Sequence, residues 1–248
     1  MMKRIFDFLI SLIGLTLCSP FLIPVIIIVW MQDWHSPFYI AERVGQGDKP
    51  FKMVKLRSMI INAHKSGVDS TSSNDKRITG VGRIIRRYKL DELSQLWNVL
   101  IGDMSLVGPR PNVKRETDLY TTEEKKLLTV KPGITDFSSI VFSDEGEILK
   151  DQPDPDIAYN QLIRPWKSRL GIFYVENRNL SVDIKLVFLT VVSILSRDKA
   201  LLKVSHLLQK LNADDDLVRI ALRKVTLAPT PPPGATRIVT NREGRVDE

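Results

Sequence analysis

The feature that most constrains this chain is a long apolar stretch near its N-terminus, residues 5–30, directly after Lys3 and Arg4. As a straight helix it would measure roughly 39 Å, which exceeds the bilayer hydrocarbon thickness of about 30 Å. A cleaved signal peptide would be shorter and would end in a small-x-small cleavage site, which does not follow Trp30. We therefore expect a membrane-embedded segment here.

Two prolines, Pro20 and Pro24, lie near the middle of this stretch. Each removes a backbone donor and clashes with the preceding turn, so a kink is expected, and the Ser19 hydroxyl can satisfy groups that the kink frees. The basic residues that flank the stretch are Lys3, Arg4, Arg43, Lys49, Lys52, Lys55 and Arg57. Because positive charge marks the cytoplasmic side, we favour a re-entrant helix-break-helix over 1–32, broken at Ser19 and Pro20. A spanning helix stays the alternative, since spanning helices also tolerate proline.

The composition restricts the partners of the chain. Its net charge is +7 and its pI is about 9.5, a balance that fits nucleic acid, anionic lipid or phosphorylated substrates. Nucleic acid is disfavoured, because basic residues are not interleaved with aromatic ones and no nucleic-acid motif is present. One cysteine, Cys18, excludes an intrachain disulfide and fits a reducing cytoplasmic face.

Beyond the membrane segment, the pattern predicts a mainly α protein with a small β-hairpin, an α+β fold. Strands are predicted at 37–40 and 51–56, a polar loop at 63–76, and helices at 78–88, 91–101, 116–129, 155–169, 183–196 and 200–211. The predicted domains are a membrane hairpin at 1–32, a cytoplasmic domain at 33–198, an amphipathic extension at 199–227 and a proline-rich linker with a disordered tail at 228–248.

Two of the predicted helices are candidates for membrane contact, and a third, at 155–169, contains a proline. The helix at 183–196 is strongly apolar but too short to span a bilayer, so it is either buried or interfacial. The helix at 200–211 is amphipathic, with leucines set against lysines, and lies either on the membrane surface or on the protein core. Pro165 is expected to kink or end the helix that contains it.

Two adjacent carboxylates, Asp91 and Glu92, stand at the predicted start of a helix. Taken alone they fit an N-cap and a first-turn residue that complements the helix dipole. However, Arg86 precedes them, and the rigid turn 108–111 brings in Arg110. A carboxylate among cations is able to attack a phosphoryl group, as aspartyl-phosphate enzymes do, and Arg and Mg²⁺ stabilise the transferring oxygens. The motif therefore favours phosphoryl transfer.

Several blocks together resemble one family. They are KRIFDF at 3–8, SP at 19–20, KLRSM at 55–59, LDELSQLWNVL at 90–100, GDMSLVGPRP at 102–111 and KPGIT at 131–135. In order and content they resemble the bacterial sugar transferases known as small monotopic phosphoglycosyl transferases. The resemblance extends from about residue 3 to about residue 198.

This resemblance implies a reaction and its site. Asp91 would attack the β-phosphate of a UDP-sugar, release UMP and carry a phosphosugar, which undecaprenyl phosphate then accepts. Mg²⁺ would be required, held by Asp91 and Glu92, and Glu92 either helps to hold this metal or acts as a base toward the lipid phosphate. Substrate contacts fall to Arg86, Arg110, Lys55, Arg57 and Pro109.

The resemblance also implies a location and a role. The enzyme would sit on the cytoplasmic face of the bacterial inner membrane, among membrane lipids. There it would initiate capsule, exopolysaccharide, O-antigen or glycoprotein glycan assembly and hand its product to downstream glycosyltransferases.

The sequence departs from the family pattern at 136–142, a loop that we expect at the sugar end of the site, and in the extension after Arg197. A catalytically inactive membrane scaffold for polysaccharide-assembly partners is the competing interpretation. The intact Asp91-Glu92 pair argues against it.

Overall fold

The computed structural model of the chain describes residues 2–63 and 71–241. Its helices are α1 (Met2–Met31), α2 (Gly80–Arg87), α3 (Leu90–Leu93), α4 (Leu96–Ile101), α5 (Lys114–Thr117), α6 (Phe137–Val141), α7 (Glu145–Ile148), α8 (Pro155–Ala158), α9 (Arg164–Asn177), α10 (Leu180–Leu195), α11 (Arg197–Lys210) and α12 (Asp215–Ala221). The strands β1 (Phe38–Val44) and β2 (Pro50–Leu56) form one two-stranded sheet, and β3 (Ser105–Val107) and β4 (Gly133–Thr135) form another. The mainly helical fold with a β-hairpin is confirmed.

The hairpin is antiparallel, with Tyr39 opposite Lys55 and Glu42 opposite Lys52. β1 is longer than the predicted 37–40, and the strands are joined through a short 3₁₀ turn at Gln46–Asp48, where Gly47 adopts a φ of 70°. Half of the predicted loop at 63–76 lies outside the described residues, at 64–70.

The helix α1 runs without interruption through Pro20 and Pro24, so the predicted break into two helices is not seen in the secondary structure. The physical reason lies in one hydrogen bond. Pro20 has no N–H to donate to the carbonyl of Thr16, four residues earlier, and the Ser19 hydroxyl donates to that carbonyl instead, at 2.8 Å. Ser19 thus satisfies the freed backbone group, as predicted, but within a continuous helix.

Both ends of α1 are attached to the same body of the protein. Near its start, the buried Asp7 accepts hydrogen bonds from the Ser105 hydroxyl at 2.9 Å and from the Leu106 N–H at 3.1 Å. Just beyond its end, Asp33 pairs with Arg57 at 2.6 Å. The helix is long and apolar enough to cross a membrane, yet it lies along the domain, with a largely exposed apolar face between its two attachments.

The predicted helix at 91–101 is two helices, α3 and α4, separated at Ser94 and Gln95. Polar side chains at this junction hydrogen-bond with the free edge of β2. The Ser94 hydroxyl accepts from Leu56 N–H at 3.1 Å, and the Asn98 amide accepts from Val54 N–H at 2.9 Å. These contacts satisfy strand groups that a third strand would otherwise pair, and they hold α3 beside β2. Trp97 of α4 is 51% exposed.

The predicted helix at 116–129 is wrong: α5 ends at Thr117, and a 3₁₀ turn covers Glu124–Thr129. Thr121 and Glu124 form a capping box that starts this turn, because Glu124 N–H donates to the Thr121 hydroxyl and Thr121 N–H donates to the Glu124 carboxylate, both at 3.1 Å. Pro165 does not end a helix. It stands in the first turn of α9, after a π-helical turn at Tyr159–Ile163.

The two candidates for membrane contact, α10 and α11, differ in how much of their apolar surface is buried. α10 buries Leu186 and Leu189 but exposes a second apolar face that includes Phe188 and Leu195. α11 buries Leu201 and Leu208 in the protein core, so of the two alternatives for 200–211, docking on the core is confirmed. α12 was not predicted.

The prediction of a free linker and disordered tail is wrong for residues 228–241, which pack on the domain. Thr230 N–H donates to Gln161 O at 3.0 Å, the Arg169 guanidinium to Pro231 O at 2.9 Å, and the Gln161 amide to Val239 O at 2.6 Å. One of these acceptors, Pro231 O, is the carbonyl of a proline of the predicted linker. Residues 242–248 lie outside the described part of the chain.

Candidate active site

Four elements bring together what we call the central charge cluster: Lys55 of β2, Arg86 of α2, Asp91 and Glu92 of α3, and Arg110 after β3. The Arg110 guanidinium donates to the Glu92 carboxylate at 2.9 Å. Besides burial, the charges of Arg110, Asp91 and Glu92 act on the pKa of Lys55, so these groups lie within electrostatic reach of one another. The structure therefore assembles both predicted catalytic residues and three of the predicted substrate contacts.

The capping interpretation of Asp91 is wrong. The cap position belongs to Lys89, whose φ of 54° turns the chain sharply into α3, and its side chain makes no capping bond. Asp91 lies one residue inside the helix and is half-buried. Within residues 2–63 and 71–241 no hydrogen bond or ion pair engages its carboxylate. Since α3 is a single turn, the surrounding cations rather than a helix dipole set the potential at this carboxylate.

Arg110 is held by a backbone crossing between its own loop and the segment 131–135. The Gly108 N–H donates to Thr135 O at 3.0 Å, and the Gly133 N–H donates to Pro109 O at 2.9 Å. The two backbone segments approach so closely that a Cβ on Gly133 would lie 2.1 Å from Gly108 N. Pro109 is buried there, and its carbonyl is the acceptor of the second of these bonds. The two sequence blocks thus form one rigid mount for a guanidinium.

The two carboxylates of the cluster have opposite pKa shifts. Burial raises the pKa of Asp91, and the nearby cation of Lys55 only partly opposes this. Burial would also raise the pKa of Glu92, but Arg110, Lys89 and Lys55 outweigh it and hold that pKa below its ordinary value. Glu92 is therefore a fixed anion matched to Arg110, whereas Asp91 is the unmatched carboxylate of the pair.

Among the cations of the cluster, Lys55 also has a shifted pKa. Burial, together with the repulsion of Arg110, lowers the pKa of Lys55 to about 8. The Arg86 guanidinium donates to the Ser58 hydroxyl at 3.0 Å, which orients it toward the cluster. Lys55, Arg86 and Arg110 place three cations against two carboxylates, and this excess of positive charge attracts a phosphorylated ligand.

The structure does not bring the remaining predicted residues into the cluster. The Arg57 guanidinium pairs with Asp33 at 2.6 Å and donates to Val29 O at 3.3 Å, so it attaches the end of α1. Ser19 and Pro20 lie inside α1. The segment 136–142, expected at the sugar end of the site, contains α6, and its Phe137 and Ile140 are fully buried in the core.

The Asp91-Glu92 pair fits one kind of magnesium site. Among the described residues, no group of three or more His, Cys, Asp or Glu side chains is arranged to hold a metal. Mg²⁺ commonly takes only one or two carboxylates and completes its shell with water and substrate phosphates. Asp91, which has no protein partner among the described residues, is available for this, with Glu92 beside it. The donor set fits a metal that arrives with a phosphorylated ligand.

Sequence reasoning missed a second group of charged residues that faces the cluster. Glu145 of α7 pairs with Lys167 of α9, and the Lys167 ammonium lies 5.5 Å from the ring centroid of Tyr159. Arg110 and Lys55 both influence the pKa of Glu145. These residues lie far from the motifs in sequence, and only the packing of α7, α9 and the π-helical turn brings them to the site.

Comparison with known proteins agrees with this geometry. A family model described as bacterial sugar transferase matches residues 1–197. An Aeromonas hydrophila protein, UDP-N-acetylgalactosamine-undecaprenyl-phosphate N-acetylgalactosaminephosphotransferase, is 32% identical over 197 residues, which is 78% of this chain and 44% of the relative.

Two further relatives act on other sugars. The Salmonella typhimurium undecaprenyl-phosphate galactose phosphotransferase is 35% identical, covering 80% of this chain and 41% of its own length. The Caulobacter vibrioides UDP-glucose:undecaprenyl-phosphate glucose-1-phosphate transferase is 31% identical, covering 80% of this chain and 71% of its own. The chain thus spans less than half the length of the Aeromonas and Salmonella relatives. Since the family model extends over most of the chain, this protein belongs to the bacterial sugar transferase family.

Proposed function

We propose that the chain transfers a sugar-1-phosphate from a UDP-sugar to undecaprenyl phosphate, with release of UMP. The observation that carries the proposal is the unmatched Asp91 carboxylate beside Lys55, Arg86 and Arg110. The names of the three relatives, each an undecaprenyl-phosphate sugar phosphotransferase, support the substrate class.

The reaction proceeds in two displacements on one phosphorus atom. In the first, an Asp91 oxygen attacks the β-phosphorus of the UDP-sugar, the bond from that phosphorus to the bridging oxygen breaks, and UMP leaves. In the second, a phosphate oxygen of undecaprenyl phosphate attacks the same phosphorus, and the bond to Asp91 breaks. The product is undecaprenyl-diphospho-sugar, and the Asp91 carboxylate is restored.

The other residues of the cluster balance the negative charges of the nucleophile and the donor. Lys55, Arg86 and Arg110 offset the repulsion between an anionic nucleophile and an anionic diphosphate, and they stabilise the charge on the transferring oxygens. Glu92 holds the Arg110 guanidinium in place through their 2.9 Å bond. Mg²⁺, held by Asp91 and Glu92 when bound with the donor, supplies further neutralisation of the diphosphate and its leaving group.

The contacts of α1 support an approach from one membrane face. Asp7 near its start and Asp33 beyond its end both bond to the same domain, while its large apolar side chains, such as Phe21 and Leu17, are exposed. A helix inserted from one side allows a soluble nucleotide sugar and a lipid phosphate to meet at Asp91. We place the protein on the cytoplasmic face of the inner membrane, where its product passes to downstream glycosyltransferases.

A direct assay tests the reaction. Purified full-length protein in nanodiscs, with Mg²⁺, undecaprenyl phosphate and a panel of UDP-sugars, is expected to release UMP from at least one donor and to stop when EDTA removes Mg²⁺. Mass spectrometry of a quenched reaction without lipid acceptor is expected to find the phosphosugar on Asp91. If no donor releases UMP while the protein stays folded and membrane-bound, the inactive scaffold is the better description.

Topology has its own test. In a Cys18→Ser background, Met2→Cys and Lys49→Cys are expected to react with a membrane-impermeant maleimide from the cytoplasmic side only. Labelling of the two positions from opposite sides would show that α1 spans the membrane.

A further inference from the structure

One ion pair beside the central charge cluster has no part in the phosphate chemistry. Glu145 opens α7, Lys167 lies in the first turn of α9, and their side chains form a direct salt bridge. The Lys167 ammonium lies 5.5 Å from the centroid of the Tyr159 ring. We call Glu145, Lys167 and Tyr159 the outer triad. It joins α7, the π-helical turn and the start of α9 at one edge of the site.

The outer triad lies within electrostatic reach of the cluster. Burial would raise the pKa of Glu145, yet Lys167, Arg110 and Lys55 together hold that pKa below its ordinary value. Glu145 also acts on the pKa of Arg110. Geometry agrees, because Gly171 lies one turn after Lys167 on the same face of α9, and a Cβ there would come within 3.9 Å of the Pro109 Cβ. The Lys167 face of α9 therefore packs against the loop that carries Arg110.

The outer triad remains open to a ligand. The Glu145 side chain keeps 31% of its surface exposed and the Lys167 side chain keeps 15%. This pair is therefore charged, oriented and accessible, which differs from an ion pair buried for stability. Its second carboxylate oxygen and the remaining ammonium hydrogens are able to take further hydrogen bonds.

We propose that the outer triad binds the sugar ring of the donor and sets which sugar the protein accepts, an inference that rests on the proposed function. The sugar is joined directly to the phosphorus that Asp91 attacks, so its hydroxyls lie beside the cations of the cluster. Glu145 accepts from one hydroxyl, Lys167 donates to a neighbouring one, and the Tyr159 ring offers an apolar face.

The charge of Glu145 favours the sugar over the other parts of the donor. A carboxylate repels the two phosphates but accepts readily from neutral hydroxyl donors. The nucleoside is one phosphate further from the attacked phosphorus than the sugar is.

Donor selectivity tests this assignment. Glu145→Gln and Lys167→Met are compared with wild type for UMP release from UDP-glucose and UDP-galactose, which differ only at C4, and from the corresponding N-acetylated donors. Loss of a hydrogen bond to a charged group corresponds to about tenfold or more in affinity. We expect KM for the preferred donor to rise by about that factor and the ratio of kcat/KM between donors to fall. Glu147→Gln, an exposed acid of the same helix, is the matched control.

Inhibition by UMP separates the sugar from the nucleotide. UMP lacks the sugar, so its inhibition constant is expected to stay unchanged in both variants, which also shows that the site is folded. Wild-type selectivity in both variants would overturn the inference and leave the proposed function standing. A parallel loss of UMP and donor affinity would instead assign the triad to the nucleotide. Absence of UMP release by the wild type with every donor would overturn both proposals.

Discussion

Two glutamate–arginine pairs in this protein differ in how completely their charges are satisfied. In the first, Arg164 pairs with Glu124 at 2.6 Å, and the side chains are 6% and 0% exposed. In the second, Arg110 pairs with Glu92 at 2.9 Å, and the side chains are 34% and 17% exposed. The two are chemically alike, so the difference lies in their surroundings.

The buried pair is closed by further partners. Arg164 also donates to Asn160 and to Leu119 O, at 3.1 and 2.7 Å, while Glu124 accepts from the Ser168 hydroxyl at 2.7 Å and from Thr121 N–H. The pair at the site stands instead beside two more cations and the free Asp91. A charge group with every partner in place maintains the fold, whereas one with excess cations and an unmatched carboxylate is arranged for a ligand.

Asp91→Asn is expected to give the largest effect. It keeps the shape of the side chain but removes the nucleophile, so UMP release should fall by about 10⁴-fold or more. Because burial raises the pKa of Asp91, the folded state disfavours its charge at neutral pH. The variant should therefore be as stable as wild type or more stable, measured as the urea midpoint in nanodiscs. Turnover near the wild-type rate would refute the nucleophile.

Arg164→Met tests the buried pair, Arg164 with Glu124. It leaves the Glu124 carboxylate buried without its cation, and loss of one partner of a buried pair costs about 3–5 kcal/mol. We expect a lower urea midpoint and, in protein that remains folded, an unchanged donor preference. The double variant Arg164→Met/Glu124→Gln should recover part of the loss. A midpoint equal to wild type would show that the pair does not stabilise the fold.

The site was more predictable than its surroundings because its residues lie in contiguous blocks. Asp91, Glu92 and Arg110 could be singled out from residue type and spacing, and the structure brings them together. Arg57 lies in the same basic block as Lys55, but it stands just beyond the end of β2 and pairs with Asp33. Sequence alone could not separate these two cations, since the partner of each depends on the fold.

The missed features depend on tertiary contacts. The helix at 91–101 divides because Ser94 and Asn98 bond to the edge of β2, and periodicity carries no sign of that edge. Pro20 stays helical because Ser19 supplies the missing bond to Thr16. The Thr121–Glu124 capping box was a local signal that the sequence did contain. The outer triad had none, because three separate elements form it.

Arg110→Lys sharpens the comparison within the site. Lysine keeps the charge but loses the planar fork that binds carboxylate and phosphate together. We expect kcat/KM for UMP release to fall by about 10- to 100-fold, since hydrogen bonds to a charged group are involved, with little change in stability. Arg219→Lys, at an exposed pair with Asp216, is the control and should change neither quantity. Full activity in Arg110→Lys would reduce the role of Arg110 to charge alone.

The smallest effect at neutral pH concerns Lys55, whose pKa burial lowers to about 8. Its cation is present below that pH and is lost as the pH rises through it, so kcat/KM should fall on an alkaline limb near pH 8, by about tenfold per further pH unit. The limb belongs to the free enzyme, because a bound phosphate stabilises the charged form. Lys55→Arg keeps its charge throughout this range and should abolish the limb. An identical limb in Lys55→Arg would assign the titration to another group.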